Sequence, residues 1–241
     1  MTSADRSPEP TYRRYDSKAA AAPDMAREAA AILRQAINAR GAAAFVLTGG
    51  SSPVALYEAL ARDHGGSLDW ARVHFFLGDE RAVPHDHPDS NMRTCAPLLE
   101  HVPLDPARVH PWRTDQLERD ALEAMRQVLA KAGLQRRGMD LTLLGVGPDG
   151  HVASLFPEHE PWRALGDDRA GDVAFVRDAP KPPPERYTFT LPLINRSEHV
   201  WLMPFGSGKE DALDGFRQND GALPVSYVRG SRETVVWTDL G

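Results

Sequence analysis

Three short, largely apolar runs set the strongest limit on how this chain can fold: "AAAFVLT" (42–48), "RVHFFLG" (72–78) and "MDLTLLGVG" (139–147). Strands that are apolar on both faces must be covered on both, which is the condition of a parallel sheet between helices. Segments of helical period precede and separate them. "SKAAAAPDMAREAAAILRQAINARG" (17–41) puts Ile32, Leu33, Ala36 and Ile37 on one face, with Gly41 placed to end the helix. Pro23 marks its start or a kink, so the firm helical part is 24–40. Further helices are expected at 52–63, where Pro53 occupies a natural first-turn position, and at 115–133, closing on Gly133. "DSNMRTCAPLLEHV" reads as a loop entering a short helix. Later strands are expected at "DVAFVR", "RYTFTLP", "HVWLMPF" and "TVVWTD", with a helix at "GKEDALDGFRQ". The fold class is α/β with a mostly parallel sheet, and ligands in such folds sit at the carboxyl ends of the strands.

At 241 residues, with no Ser/Gly-rich linker and no solenoid repeat, the chain is read as a flexible tail (1–15) and one domain (16–241). The formal charge of −6 argues against a nucleic-acid partner, though not against a small anion held by local donors. One cysteine, Cys95, excludes an intramolecular disulfide framework. A polar N-terminus and the absence of a long apolar run point to a cytoplasmic protein with no membrane partner.

Four loops carry the chemistry. Gly145-x-Gly147-x-x-Gly150 has the spelling of a dinucleotide fingerprint, but Pro157 leaves no long helix after it and Asp149 would repel a pyrophosphate. The other reading is a catalytic turn that projects His151, a side chain suited to proton transfer near neutral pH, beside Asp149. Against that stands a structural reading in which Asp149 merely caps a short helix "HVASLF". "LTGGSSPVALYEAL" (47–60) points Gly49, Gly50, Ser51 and Ser52 at one spot ahead of a helix, favourable for phosphate. It lacks the Gly-Lys-Ser/Thr of a Walker loop, and Ser51 or Ser52 could equally be a plain helix cap. "FFLGDERAVPHDHPDSN" (75–91) puts Asp79, Glu80 and Arg81 just past a strand. Arg81 can clamp an oxyanion or simply pair with a neighbouring carboxylate. His85-Asp86-His87 invites a metal, but no third ligand set accompanies it. "LMPFGSGKEDAL" (202–213) sets Lys209 at the start of a helix, where a cation opposes the dipole and so needs another reason to be there.

Taken together, "LTGGSSP", "GDERAVPHDHPDSN", "GVGPDGHVASLFP" and "PKPPPERYTFTLPLINRS" resemble the 6-phosphogluconolactonase family in order and spacing from about residue 20 to 240. The resemblance implies a three-layer α/β/α sandwich with an open sheet, shared with glucosamine-6-phosphate deaminase and ribose-5-phosphate isomerase. It implies hydrolysis of 6-phospho-D-glucono-1,5-lactone to 6-phosphogluconate, the second step of the oxidative pentose phosphate pathway, with no metal and no organic cofactor. His151 matches the catalytic histidine and Asp149 its acidic neighbour. Gly49, Gly50, Ser51 and Ser52 match the phosphate loop, Lys209 the phosphate-contacting lysine, and Asp79 and Arg81 fall to substrate contact. Arg186 matches the pattern either as a substrate contact or as a loop anchor, and the Pro-rich 179–186 segment is either a lid or a strut. A monomer or weak homo-oligomer is expected.

Two rival readings remain. The deaminase branch resembles "DGHIAFNEP", with a glutamate seven residues past the aspartate; here that position is Phe156, and Glu158 lies beyond Pro157. A sugar-phosphate sensor would usually carry an added helix-turn-helix, for which too few residues precede the core. Ser51, Ser52 and Ser154 offer a competing nucleophile, but none sits in a Gly-x-Ser-x-Gly elbow.

Overall fold

The computed structural model describes residues 9–157, 159, 162 and 171–241. The chain begins with strand β1 (Thr11–Arg14) and helix α1 (Lys18–Arg40), followed by β2 (Ala43–Leu47) and α2 (Val54–His64). Next come β3 (Val73–Leu77), β4 (Asp79–Arg81), the single turns α3 (Asn91–Thr94) and α4 (Ala96–Leu99), and β5 (Val109–His110). The second half holds α5 (Glu118–Lys131), α6 (Leu134–Arg137), β6 (Leu141–Gly145), β7 (Val173–Val176), β8 (Arg186–Phe189), α7 (Leu191–Arg196), β9 (His199–Met203), α8 (Glu210–Arg217) and β10 (Glu233–Thr238).

Seven strands form one all-parallel sheet in the order β1-β10-β9-β6-β2-β3-β5, the middle layer of a three-layer α/β/α sandwich. Every residue of β2 and β9 is buried, as their apolar sequence requires. The winding explains where a ligand can go. From β2 the chain runs outward through β3 to β5, then returns to β6 on the other side of β2 and proceeds outward through β9 to β10. The crossovers therefore diverge between β2 and β6, leaving a crevice at the carboxyl ends of those two strands. Two of the four sequence loops, 48–52 and 146–151, leave these strands at that crevice.

Three boundaries differ from the sequence reading. Residues 11–14, assigned there to the tail, form edge strand β1, paired with β10 from Thr11↔Val235 to Arg14↔Thr238. The strand is mostly exposed and carries no apolar signature; Arg13 lies over the Trp237 ring and pairs with Glu28 at 2.8 Å. Residues 1–8 lie outside the described residues. Helix α1 starts at Lys18 rather than near 24, because Ser17 caps it by accepting from the Ala20 N–H at 3.2 Å. Pro23 thus sits inside the helix on its exposed side, where its missing N–H deprives only one carbonyl. Finally, the runs at 172–177 and 186–192 do not join the parallel sheet. β4, β8 and β7 make a separate antiparallel sheet, registered Asp79↔Thr188 and Arg81↔Arg186. Gly78 is the single residue between β3 and β4, so the chain steps directly from one sheet to the other above the crevice. Among the described residues no helix is long and apolar enough to cross a membrane.

Candidate active site

After β6, the backbone closes on itself: the Gly147 N–H donates to the His151 carbonyl (2.9 Å) and the Gly150 N–H to the Gly147 carbonyl (3.0 Å). Val152 bridges back to Val146 and on to Leu155, so residues 151–156 form a tight turn and not a helix. The capping role for Asp149 therefore disappears. Its carboxylate instead accepts from His151, Nδ1 to Oδ1 at 2.5 Å. A carboxylate on Nδ1 fixes the tautomer with the proton there and leaves Nε2 as the basic atom. Nε2 makes no hydrogen bond among the described residues, and the His151 ring lines the crevice while resting on Phe156, centroids 4.8 Å apart. Gly147 is what lets the ring in, because a Cβ at that position would lie 1.9 Å from His151 Nδ1.

Asp149 stands behind this ring. Burial alone would raise its carboxyl, but hydrogen bonds and charge from His151 and Lys181 outweigh burial and hold it well below the usual carboxylate range. The Lys181 ammonium reaches both carboxylate oxygens, at 3.2 Å and 3.1 Å.

The 48–52 loop forms the opposite wall. Thr48 is locked by Tyr57, whose hydroxyl accepts from the Thr48 N–H (2.9 Å) and donates to its carbonyl (2.8 Å). Beyond it, the N–H groups of Gly49, Gly50, Ser51 and Ser52 find no acceptor among the described residues, and they precede the N-terminus of α2. No serine caps that helix; Pro53 occupies the N-cap and makes no side-chain bond. What remains is a cluster of free donors at a positive helix end, an arrangement that can hold an anion. Lys18 of α1 donates to the Ser51 carbonyl at 3.0 Å, bringing a cation to the loop. Gly49 permits the close approach of Asn91, whose Oδ1 would lie 1.8 Å from a Cβ there.

Between these walls lies the segment after β3. Asp79 does not pair with Arg81. Its Oδ1 accepts from Asn91 Nδ2 (3.0 Å) and its Oδ2 from the Ser154 hydroxyl (2.7 Å), tying this segment to the His151 turn. Ser154 is thereby held as a donor. Glu80 is fully buried and accepts from the N–H groups of Arg81, Asn91 and Met92 and from the Ser90 hydroxyl. Burial raises its pKa, and those four bonds oppose the rise. Among the described residues Arg81 is left without a carboxylate partner: Nη1 donates to the Asp89 carbonyl, and buried Nε has no partner there. Arg186 lines the crevice but spends its described bonds on the backbone of the Pro-rich segment, donating to the carbonyls of Pro183 (3.0 Å), Lys181 (3.0 Å) and Pro182 (3.1 Å). These bonds anchor the loop, and because Arg186 also lines the crevice, both readings left open from sequence stand.

Lys209 is the N-cap residue of α8, half-buried and without an ion-pair partner among the described residues. Burial lowers its pKa and the charges of Lys18 and Lys181 add to that, against Asp239. Gly49, Gly50, Ser51, Ser52, Asp79, Arg81, His151 and Lys209 all face one crevice. His85 and His87 do not join them; His85 bonds the Trp112 carbonyl (2.9 Å) and His87 accepts from the Asp89 N–H (3.1 Å). Lys181, Asn91 and Lys18 were not singled out in the sequence, and only the position of Lys181 beside the Pro run offered a cue. Glu158 lies outside the described residues.

A family model described as "Glucosamine-6-phosphate isomerases/6-phosphogluconolactonase" matches residues 16–237. The chain is 41% identical over 219 residues to the 6-phosphogluconolactonase of Mycobacterium leprae (strain TN), covering 86% of each. It is 36% identical over 234 residues to 6-phosphogluconolactonase 3, chloroplastic, of Arabidopsis thaliana, covering 92% of this chain and 71% of that protein. The crystal structure of 6-phosphogluconolactonase from Thermotoga maritima superposes with a TM-score of 0.83 at 28% identity, covering 95% of this chain and 99% of that one.

Proposed function

Because the chain belongs to the glucosamine-6-phosphate isomerase/6-phosphogluconolactonase family, we propose that it hydrolyses 6-phospho-D-glucono-1,5-lactone to 6-phospho-D-gluconate. The observation that carries this reading is the His151 imidazole, held at Nδ1 by Asp149 with Nε2 bare, in a crevice whose other wall is a loop of free N–H donors.

In this mechanism Nε2 takes a proton from a water as its oxygen attacks the lactone carbonyl at C1. The tetrahedral intermediate then collapses, the bond from C1 to the ring oxygen breaks, and the imidazolium returns the proton to that oxygen. No covalent enzyme intermediate is needed, and Ser154 is already committed to Asp79. General acid–base catalysis of this kind contributes about 10²–10⁴-fold. The amides of the 145–150 glycine turn are a poorer oxyanion donor than Arg81, since those of Gly147 and Gly150 are already bonded within the turn. Arg81 lines the crevice and its guanidinium holds no carboxylate among the described residues, so it can meet the developing negative charge. The phosphate falls to the 49–52 loop and Lys209, which act by fixing the reacting carbonyl against His151.

The family model spans isomerases as well as lactonases, and Phe156 favours the lactonase. Seven residues past Asp149, this buried ring packs on His151 and beneath the Arg186 guanidinium, leaving no carboxylate at that position for a ring-opening relay. The test is acid release from freshly generated phospholactone, followed against the spontaneous rate. The protein should accelerate release, and His151→Ala should lose about 10²-fold or more in kcat while still binding 6-phosphogluconate. Near-normal turnover in that variant would remove His151 from the role.

A further inference from the structure

We propose that Lys181 is a positioning residue for the His151–Asp149 pair, sharing the carboxylate so that Asp149 orients the imidazole without delivering its full negative charge to it. The inference deepens the lactonase reading and rests on it for its kinetic consequence.

The geometry is a three-membered contact. The Lys181 ammonium lies 3.1 Å from Asp149 Oδ2 and 3.2 Å from Oδ1, the same oxygen that receives His151 Nδ1. It also lies 3.3 Å from Nδ1 itself. With Nδ1–H and the ammonium both donating to the carboxylate, Oδ1 is shared and the two donors sit side by side. The lysine is not a loose surface side chain at its root. Its carbonyl accepts from Arg186 Nη2 at 3.0 Å, and the segment is closed by the Ala179 N–H on the Pro184 carbonyl at 2.9 Å. The Pro-rich 179–186 segment is thus a strut that delivers one ammonium to the back of the catalytic pair. As a stabilising contact the ion pair would do little, because side chains 40% and 34% exposed leave it well solvated.

Its chemical consequence is larger. An isolated Asp–His pair favours the imidazolium, and a base that is too readily protonated is spent before water arrives. An ammonium on the same carboxylate, and beside Nδ1, opposes that added charge. The charged groups facing His151 are Asp149 on its own turn, Lys181 on the strut, and Asp79, Arg81, Arg186 and Lys209 across the crevice. Only Lys181 touches both members of the pair among these.

The experiment compares wild type, Lys181→Met and Lys181→Arg by two readouts. The first is the pH profile of kcat/KM for phospholactone; the second is the ¹⁵N NMR titration of the His151 ring without substrate. In Lys181→Met the acidic limb and the NMR midpoint should both move to higher pH by about 0.5–1 unit. On the acidic limb kcat/KM then falls about 3–10-fold, since each unit is tenfold, while the alkaline plateau and KM stay near wild type. Lys181→Arg should restore both. An unmoved midpoint, a loss equal at every pH, or a change confined to KM overturns the proposal. The NMR readout needs no turnover, so a wild-type protein without lactonase activity would defeat the functional reading by itself. An active enzyme with an unmoved midpoint would defeat this inference alone.

Discussion

Replacing Gly147 by alanine isolates what the placement of one imidazole is worth. The Cβ it adds would meet His151 Nδ1 at 1.9 Å, Cε1 at 2.1 Å and Asp149 Oδ1 at 2.5 Å. Gly147 is not among the residues with positive φ, so alanine fits the backbone and the effect is confined to that collision. Restoring ordinary contact requires the ring to retreat by about 1.5 Å, which breaks the bond to Asp149 and carries Nε2 away from the reacting carbonyl. A misplacement of about 1 Å can cost about 10²-fold in rate, so kcat should fall by about that factor or more. Overpacking of this size destabilises by about 1–3 kcal/mol, and the ring borders an open crevice into which it can swing, so the variant should fold. The 49–52 loop on the opposite wall, to which the phosphate is assigned in the proposed function, is untouched, and KM should hold within a few-fold. Initial rates of acid release, corrected for spontaneous opening and paired with a thermal melt, read both quantities. A folded Gly147→Ala enzyme within three-fold of wild-type kcat would refute the claim that turnover depends on this ring position.

Two further outcomes follow from the same geometry. Lys209→Ala should raise KM for the phospholactone by about 10–150-fold, the equivalent of one hydrogen bond to a charged group, and leave unphosphorylated gluconolactone unaffected. Equal KM values for variant and wild type would take Lys209 away from the phosphate. At the far sheet edge, His74 Nδ1 and His110 Nε2 lie 2.9 Å apart with Arg108 on His74. Burial first, then His74 and Arg108, lower the His110 pKa from 6.5 to about 4. The unfolded chain therefore binds the extra proton between these values, so stability is fully present above pH 6.5 and is lost as pH falls toward 4. Denaturant midpoints at pH 7 and pH 4.5 should differ, and His110→Asn should narrow that difference; an unchanged gap would contradict the assignment.

The strands that were legible are those whose surroundings are uniform. β2, β3 and β6 are buried along nearly their whole length, so their sequences are predominantly apolar, broken only by His74 and Thr142, and announce a parallel sheet. β1 escaped because an edge strand pairs through its backbone and can leave its side chains in water. β7 and β8 were legible as strands but not as members of a second sheet. β8 is as thoroughly buried as β2, and burial does not name the partner doing the covering. The start of α1 is obscured by Pro23, although a missing N–H near the first turns is cheap and the capping hydroxyl of Ser17 is the positive signal.

The site shows the same division at the scale of single side chains. Loops at the carboxyl ends of buried strands must converge, and so the chemistry-bearing residues of four distant segments could be gathered from sequence. How their charges are shared could not. Asp79 looks from sequence like a substrate contact, yet Asn91 and Ser154, the latter 75 residues away along the chain, engage its two oxygens. Asp149 looks like the sole partner of His151, yet Lys181, 32 residues on, holds the same carboxylate. A carboxylate's role is set by which donors reach it, and donors arrive through the fold rather than through neighbouring letters. That is why the imidazole could be picked out once its glycine turn was set beside the other three loops, whereas the ammonium behind it needed the antiparallel sheet and the contacts of Arg186 with the Pro-rich segment to be seen together.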